Sequence, residues 1–111
     1  MKAITRTNPQ LAPVMAINQL ITEFPHLRRM RWSLSEDGFL MGNLTVEEDA
    51  RPLMAAYVAA LGGSASETRY TTESGQARFS SWLHVVWRDV EFSVSLVCRA
   101  SLAPESSAVA A

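Results

Sequence analysis

The sequence predicts an α+β domain in which an antiparallel sheet of about five strands carries two helices on one face. Two segments place apolar residues at helical spacing, and they end at Pro25 and at Gly62-Gly63. Five further segments have strand-like patterns and are separated by short polar or glycine-containing turns. The elements follow one another as α-β-β-α-β-β-β, an order typical of helices gathered on one side of an antiparallel sheet.

Composition limits the class of protein. The chain has 111 residues, of which 48% are hydrophobic and 19% charged, as expected for one ordinary globular domain. The formal net charge is −1, so attraction to nucleic acid or to a membrane would have to come from local clusters of charge. A single cysteine excludes an intrachain disulfide and a metal site made of several cysteines.

The ends of the chain are predicted to lie outside the folded unit. We expect a flexible arm at residues 1–9, one domain at residues 10–100 and a disordered tail at residues 101–111, which is small and polar. Residues 11–24 are too short and too often interrupted by polar side chains to span a bilayer. Without an export signal, the sequence predicts a cytoplasmic protein.

The first half of the domain is predicted as a helix followed by a hairpin. Apolar residues follow helical spacing up to Phe24, which predicts a helix from residue 11 or 13 to 24. A three-residue loop, Glu36-Asp37-Gly38, would close the hairpin with glycine at the position of positive φ. This register pairs Leu34 with Leu40, Trp32 with Gly42 and Met30 with Leu44, all on one face.

The second half is predicted as a helix followed by three strands. Thr45 or Asp49 would cap the helix at its start, and Gly62-Gly63 would end it. Phosphate-binding glycines precede a helix, so a nucleotide loop is excluded here. The strands are predicted at residues 67–73, 77–87 and 90–99, with turns at Ser74-Gly75 and Arg88-Asp89.

A two-residue turn at Arg88-Asp89 assigns the two faces of the last hairpin. The face that carries Phe79, Leu83 and Phe92 is almost wholly apolar and is predicted to be the core, with Cys98 buried on it as a small hydrophobic residue. The opposite face pairs Val86 with Glu91, His84 with Ser93, Trp82 with Ser95 and Arg78 with Arg99.

Arginines are predicted to collect on that second face. Continuing through Ser74-Gly75 as a two-residue turn adds Glu67, Arg69 and Thr71, and the first hairpin adds Arg29, Arg31 and Met41. The paired arginines 78 and 99 would destabilise the sheet unless an anion or an acidic partner relieved their repulsion. The predicted partner-binding residues are Trp82, His84, Val86, Arg78, Arg99, Arg69, Arg29, Arg31 and Met41.

The Arg/Trp face has three interpretations. It could be a solvated surface, or it could bind an unidentified protein or a second copy of the chain, because Trp and Arg are enriched at interface hot spots. It could also stack bases on Trp82 and hold phosphates with the arginines. The leading hypothesis is a non-catalytic interaction protein. A nucleic-acid-binding regulator comes second, and a small-molecule-binding domain or enzyme with a pocket between helices and sheet comes third.

The sequence contains no recognisable catalytic or metal-binding pattern, so we predict that the protein is not an enzyme and binds no cofactor and no metal. His26 and His84 are 58 positions apart, and neither has the neighbours of a zinc site. Ser93, His84 and Glu91 could meet on the last hairpin, but a flat strand pair has no nucleophile elbow and no evident oxyanion donors. A histidine hydrogen-bonded to Ser93 or Glu91 is the simpler expectation.

One segment carries a resemblance. Residues 55–79, AAYVAALGGSASETRYTTESGQARF, form a helix ending in Leu-Gly followed by a strand hairpin. This pattern resembles small uncharacterised actinobacterial proteins, many of them encoded by phages and integrated elements, over roughly residues 26–99. The resemblance implies an α+β domain in a cytoplasmic or phage setting, and it implies no site residues.

Overall fold

A computed structural model describes residues 8–105 as two helices and one five-stranded sheet. The helices are α1 (Leu11–Glu23) and α2 (Ala50–Leu61); the strands are β1 (Arg31–Leu34), β2 (Leu40–Thr45), β3 (Ala65–Thr71), β4 (Ala77–Trp87) and β5 (Val90–Arg99). The α+β class with two helices is confirmed. Residues 1–7 of the predicted arm and 106–111 of the predicted tail lie outside the described residues.

The sheet is mixed, which corrects the prediction of a purely antiparallel one. Its strand order is β1-β2-β5-β4-β3, and the central β2–β5 pair is parallel while the other neighbours are antiparallel. The cause is α2, which returns the chain along the sheet so that β3 runs in the same direction as β2. The β3–β4 and β4–β5 turns each reverse the chain once, so β5 again runs parallel to β2.

Both helices cover the same face of the sheet, and the core lies between the two layers. Leu83, Phe92, Val94, Leu96 and Cys98 are 0% exposed, which confirms the predicted core face and the burial of Cys98. The helices contribute a further set of buried side chains to this core, namely Ala16, Leu20, Met54, Tyr57 and Leu61. Burying each large apolar side chain contributes about 1.5–3 kcal/mol, so this layer supplies the main stabilisation.

The β1–β2 hairpin has the predicted register. Trp32 pairs with Gly42 and Leu34 with Leu40. Gly42 has no room for a side chain, because a Cβ there would lie 2.7 Å from the Trp32 ring. The indole crosses the strand over this glycine and makes edge contacts with Tyr57 and Phe92, at centroid distances of 6.4 and 6.0 Å. Glycine therefore allows the edge strand to close over the core.

The β4–β5 hairpin also has the predicted register over its whole length, from Trp87–Val90 to Arg78–Arg99. Its two-residue turn places Arg88 and Asp89 at positive φ, 53° and 67°, a conformation that matches the twist of a tight hairpin. The Arg88 guanidinium lies 4.1 Å from the Trp87 ring centre and 2.7 Å from a Glu23 carboxylate oxygen. These contacts attach the end of α1 to the turn.

The β3–β4 hairpin differs from the prediction by one residue. Thr72 N–H donates to the Gln76 carbonyl at 2.8 Å, and Gly75 sits at φ +90° at the end of a three-residue loop. The predicted two-residue turn at Ser74-Gly75 is therefore wrong. Because side chains alternate along a strand, this shift moves every β3 residue to the opposite face of the sheet.

The structure also defines the start of α2 and the beginning of the predicted tail. Asp49, rather than Thr45, caps α2: its carboxylate accepts a hydrogen bond from Arg51 N–H at 3.0 Å. After β5, Ala100–Leu102 form a short 3₁₀ helix, and Ala103 is 0% exposed. This part of the predicted tail packs against the domain.

Candidate interaction surface

The face of the sheet opposite the helices is called the open face here. The strand registers show which residues belong to it, because directly paired residues on neighbouring strands point to the same side of a sheet. It consists of Arg31, Ser33, Met41, Asn43 and Thr45 on β1 and β2, Glu91, Ser93, Ser95, Val97 and Arg99 on β5, Arg78, Ser80, Trp82, His84 and Val86 on β4, and Ser66, Thr68 and Tyr70 on β3.

Trp82 lies near the centre of the open face and is 44% exposed. Its cross-strand neighbours are both serines, Ser95 on β5 and Ser66 on β3. The large indole is thus flanked on both neighbouring strands by small side chains. Met41 and Val86, which are 40% and 58% exposed, extend the apolar surface on this face.

Charge on the open face is separated along the strands. Arg78 and Arg99 are direct cross-strand neighbours at one end, as predicted, and Glu91 lies at the other end. Arg99 has a loose ion pair with Glu47, 3.7 Å apart, in which both side chains are largely exposed. Arg78 donates to the Gln76 side chain. Both guanidinium groups thus have their partners at the exposed surface.

Arg69 does not lie on the open face, which corrects its predicted position. It pairs with Phe79, so it lies on the face covered by the helices. There its guanidinium carbon lies 4.9 Å from the centre of the Phe79 ring, and it donates a hydrogen bond to the Ala103 carbonyl. The three-residue loop at Gly75 is the physical reason. Arg69 therefore has a structural role, holding the segment that follows β5.

Arg29 is also separate from the arginines of the open face. It precedes β1 and lines a groove of about 360 Å³ beside the end of α1. The other lining residues are mostly apolar and include Ile21, Trp32 and Tyr57. Of the five arginines predicted for one face, three lie on it: Arg31, Arg78 and Arg99. The predicted basic cluster is thus smaller than expected.

His84 packs against an aromatic ring and forms no triad. Its imidazole lies 5.6 Å from the Phe39 ring, with 33° between the planes. His84 has no hydrogen bond to Ser93 or Glu91 in the structure, so the expectation of such a bond is wrong. Among residues 8–105, no group of histidine, cysteine and carboxylate side chains is arranged to hold a metal ion.

Sequence reasoning missed Tyr70 as an open-face residue. Tyr70 is 43% exposed and pairs with Arg78, next to Arg99, whereas the predicted turn placed it on the core side. The signal that could have found it is a repeated loop pattern. Ser35 and Thr72 each stand three residues before a glycine and use their hydroxyl groups to accept a backbone N–H, from Phe39 at 2.9 Å and from Gln76 at 3.1 Å.

The groove beside α1 is apolar and has few polar groups directed into it. The Tyr57 hydroxyl, which could orient a ligand, already donates to the Arg28 carbonyl. Burial raises the pKa of Tyr57 to about 12, so the hydroxyl stays protonated at neutral pH. A ligand site normally combines apolar walls with several convergent polar groups. The groove thus gives weaker support to a small-molecule site than the open face gives to an interface.

In the part of the chain from residue 8 to residue 105, no helix is long and apolar enough to cross a membrane.

Comparison with known proteins does not identify a family for this chain. No protein-family model matches the sequence, and searches of curated proteins and of solved structures found no significant match.

Proposed function

We propose that this chain is a non-catalytic interaction protein that binds another protein through its open face. The observation that carries the proposal is Trp82, a large aromatic side chain that is 44% exposed near the centre of the sheet face opposite α1 and α2. Tryptophan and arginine dominate the energetics of protein interfaces, and both occur together here. The resemblance to phage-encoded actinobacterial proteins would make such a factor an accessory of a phage or mobile element.

The distribution of charge favours a protein over a nucleic acid as the partner. With Arg69 on the opposite face and Arg29 before β1, three arginines remain on the open face, and Glu91 lies on the same surface. A groove that follows a phosphate backbone needs a continuous basic track. The open face instead has Trp82 near its centre, two arginines at one end and Glu91 at the other, which suits a partner surface that carries charges of both signs.

The test is capture from a nuclease-treated extract of the native host. We expect the tagged chain to retain a protein, or an untagged copy of itself, and the Trp82→Asp variant to lose it. Val14→Asp is the matched control, because Val14 is 50% exposed on α1, away from the open face. Equal capture by the wild type and the Trp82 variant would contradict the proposal.

A direct binding assay separates the nucleic-acid alternative. If Arg78 and Arg99 held phosphates, affinity for a single strand would fall steeply with salt, and Arg78→Ala would reduce the salt slope by roughly one unit. We expect no micromolar binding of single-stranded DNA or RNA at physiological salt. Micromolar binding that Trp82→Ala abolishes would replace the protein partner with a nucleic acid.

A further inference from the structure

We infer that the partner of the open face is a second copy of this chain, placed face to face with its strands running in the opposite direction. The inference rests on the proposed function and names its partner. Three features of the open face carry it: the spacing of charge along β5, the serines around Trp82, and the dimensions of the sheet.

The charges are spaced symmetrically about the centre of the face. On β5, Glu91 lies four residues before Ser95, and Arg99 lies four residues after it. A two-fold axis parallel to the sheet plane, perpendicular to the strands and level with Ser95, would reverse the strands of the second copy. Glu91 of each copy would then lie over Arg99 of the other. At about 3.3 Å per residue, each charge stands roughly 13 Å from the axis.

The same axis passes level with Trp82, because Trp82 and Ser95 are cross-strand neighbours. The two indoles would meet near the axis, where the small side chains of Ser66 and Ser95 flank each one. A two-fold interface must be complementary to itself. An exposed tryptophan flanked by small serines meets that condition, since each indole can pack beside the other over these small side chains.

The remaining charges are compatible with this arrangement. Arg78 would lie over Val86 of the other copy, whose cross-strand neighbour is Glu91, so the second arginine of the basic end also approaches an acidic side chain. The repulsion between Arg78 and Arg99 would thus be relieved by the copy. Arg31 lies on edge strand β1 at the level of the axis, so it would face Arg31 of the other copy; at the rim this repulsion would be screened by water and salt.

The dimensions of the sheet are sufficient for a weak to moderate dimer. Five strands about 4.8 Å apart and a central length of roughly 33 Å give on the order of 600 Å² for each copy. The total of about 1,200 Å² is at the lower limit of stable specific interfaces. We therefore expect a dissociation constant in the micromolar range.

A charge exchange measured by sedimentation equilibrium tests the register. Glu91→Arg sets two arginines against each other at both ends of the dimer, and Arg99→Glu sets two glutamates against each other. We expect each variant alone to associate roughly tenfold more weakly than the wild type, and an equimolar mixture of the two to regain wild-type affinity. Glu67→Arg mixed with Arg99→Glu is the control. It combines the same two kinds of charge reversal, but Glu67 pairs with Ser81 on the face covered by the helices, so this mixture should restore less.

The outcomes separate this inference from the proposed function. A wild-type chain that stays monomeric at hundreds of micromolar overturns the inference, and Trp82-dependent capture of a different protein would then leave the function intact. A dimer that tolerates both charge variants but is lost in Thr68→Pro would be paired through edge strand β3, which also overturns it. Circular dichroism of every variant confirms that the domain remains folded.

Discussion

Trp82 and Ser95 face each other across β4 and β5 at the middle of the open face, with Arg78 and Arg99 four residues away along the strands on one side. The helices cover the other side of the same strands, where Leu83 and Val94 form the next pair. Neighbouring positions on one strand thus lie on opposite faces of the sheet. The core residue holds the fold together, and the open-face residue remains available to a partner.

The first prediction compares these two sides of the sheet. Leu83→Asp would bury an unpaired carboxylate at a position that is 0% exposed, which costs several kcal/mol and should unfold a domain of this size. Ser95→Asp should leave the monomer folded, because its side chain reaches solvent on the open face. Urea denaturation followed by circular dichroism measures both. A stable Leu83 variant would contradict the assignment of the faces.

The second prediction concerns Gly42. Gly42→Ala would place a Cβ 2.7 Å from the Trp32 ring and displace the indole from its contacts with Tyr57 and Phe92. Overpacking of this kind costs about 1–3 kcal/mol, so the midpoint of thermal unfolding should fall by several degrees. The adjacent open-face substitution Asn43→Ala serves as the control. Equal midpoints for the two variants would show that Trp32 does not pack over this glycine.

The third prediction tests the corrected position of Arg69. Arg69→Ala should loosen the segment around Ala103, because the guanidinium donates to that carbonyl and packs on Phe79. Limited proteolysis should then cleave near residues 100–105 faster than in the wild type. Arg78→Ala is the matched control and should change association through the open face without changing this cleavage. The reverse pattern would favour the two-residue turn at Ser74-Gly75.

The fourth prediction concerns alkaline pH. The pKa of Tyr57 is raised from 10.0 to about 12 by burial, so the folded state favours the protonated hydroxyl. Its contribution to stability is fully present below pH 10 and is lost as pH rises through 12, a change of about 2–3 kcal/mol. Tyr57→Phe should abolish this part of the pH dependence and cost about 1 kcal/mol at neutral pH, since the Arg28 carbonyl loses its donor. Denaturation at a series of pH values measures both effects, and a pH dependence unchanged by Tyr57→Phe would contradict the assignment.

Alternation of apolar residues and turn chemistry predicted most of the fold, because both act over short distances. The β4–β5 register followed from Arg88-Asp89 alone, since every pair down to Arg78–Arg99 depends on that turn. The β3 register failed because Ser74-Gly75 was assigned too short a loop. The Thr72–Gly75 pattern repeats that of Ser35–Gly38, so the correct loop could have been predicted by comparing the two.

The parallel β2–β5 pair was harder to predict because it joins strands distant in sequence. Part of it still follows from connectivity: α2 returns the chain, so β3 and β5 both run in the direction of β2. Either strand could therefore lie beside β2 only in a parallel pair. Which of the two does so depends on how α2 packs across the sheet, and local patterns carry no signal for that choice.

Hydroxyl-radical footprinting of the full chain at low and high concentration tests the central claim most directly. Met41 and Trp82 lie on the open face and are 40% and 44% exposed, while Met15 is 52% exposed on α1 and serves as an internal control. From 1 µM to about 200 µM, concentrations that bracket a micromolar dissociation constant, we expect oxidation of Met41 and Trp82 to fall relative to Met15. Unchanged ratios across this range would contradict coverage of the open face by a second copy.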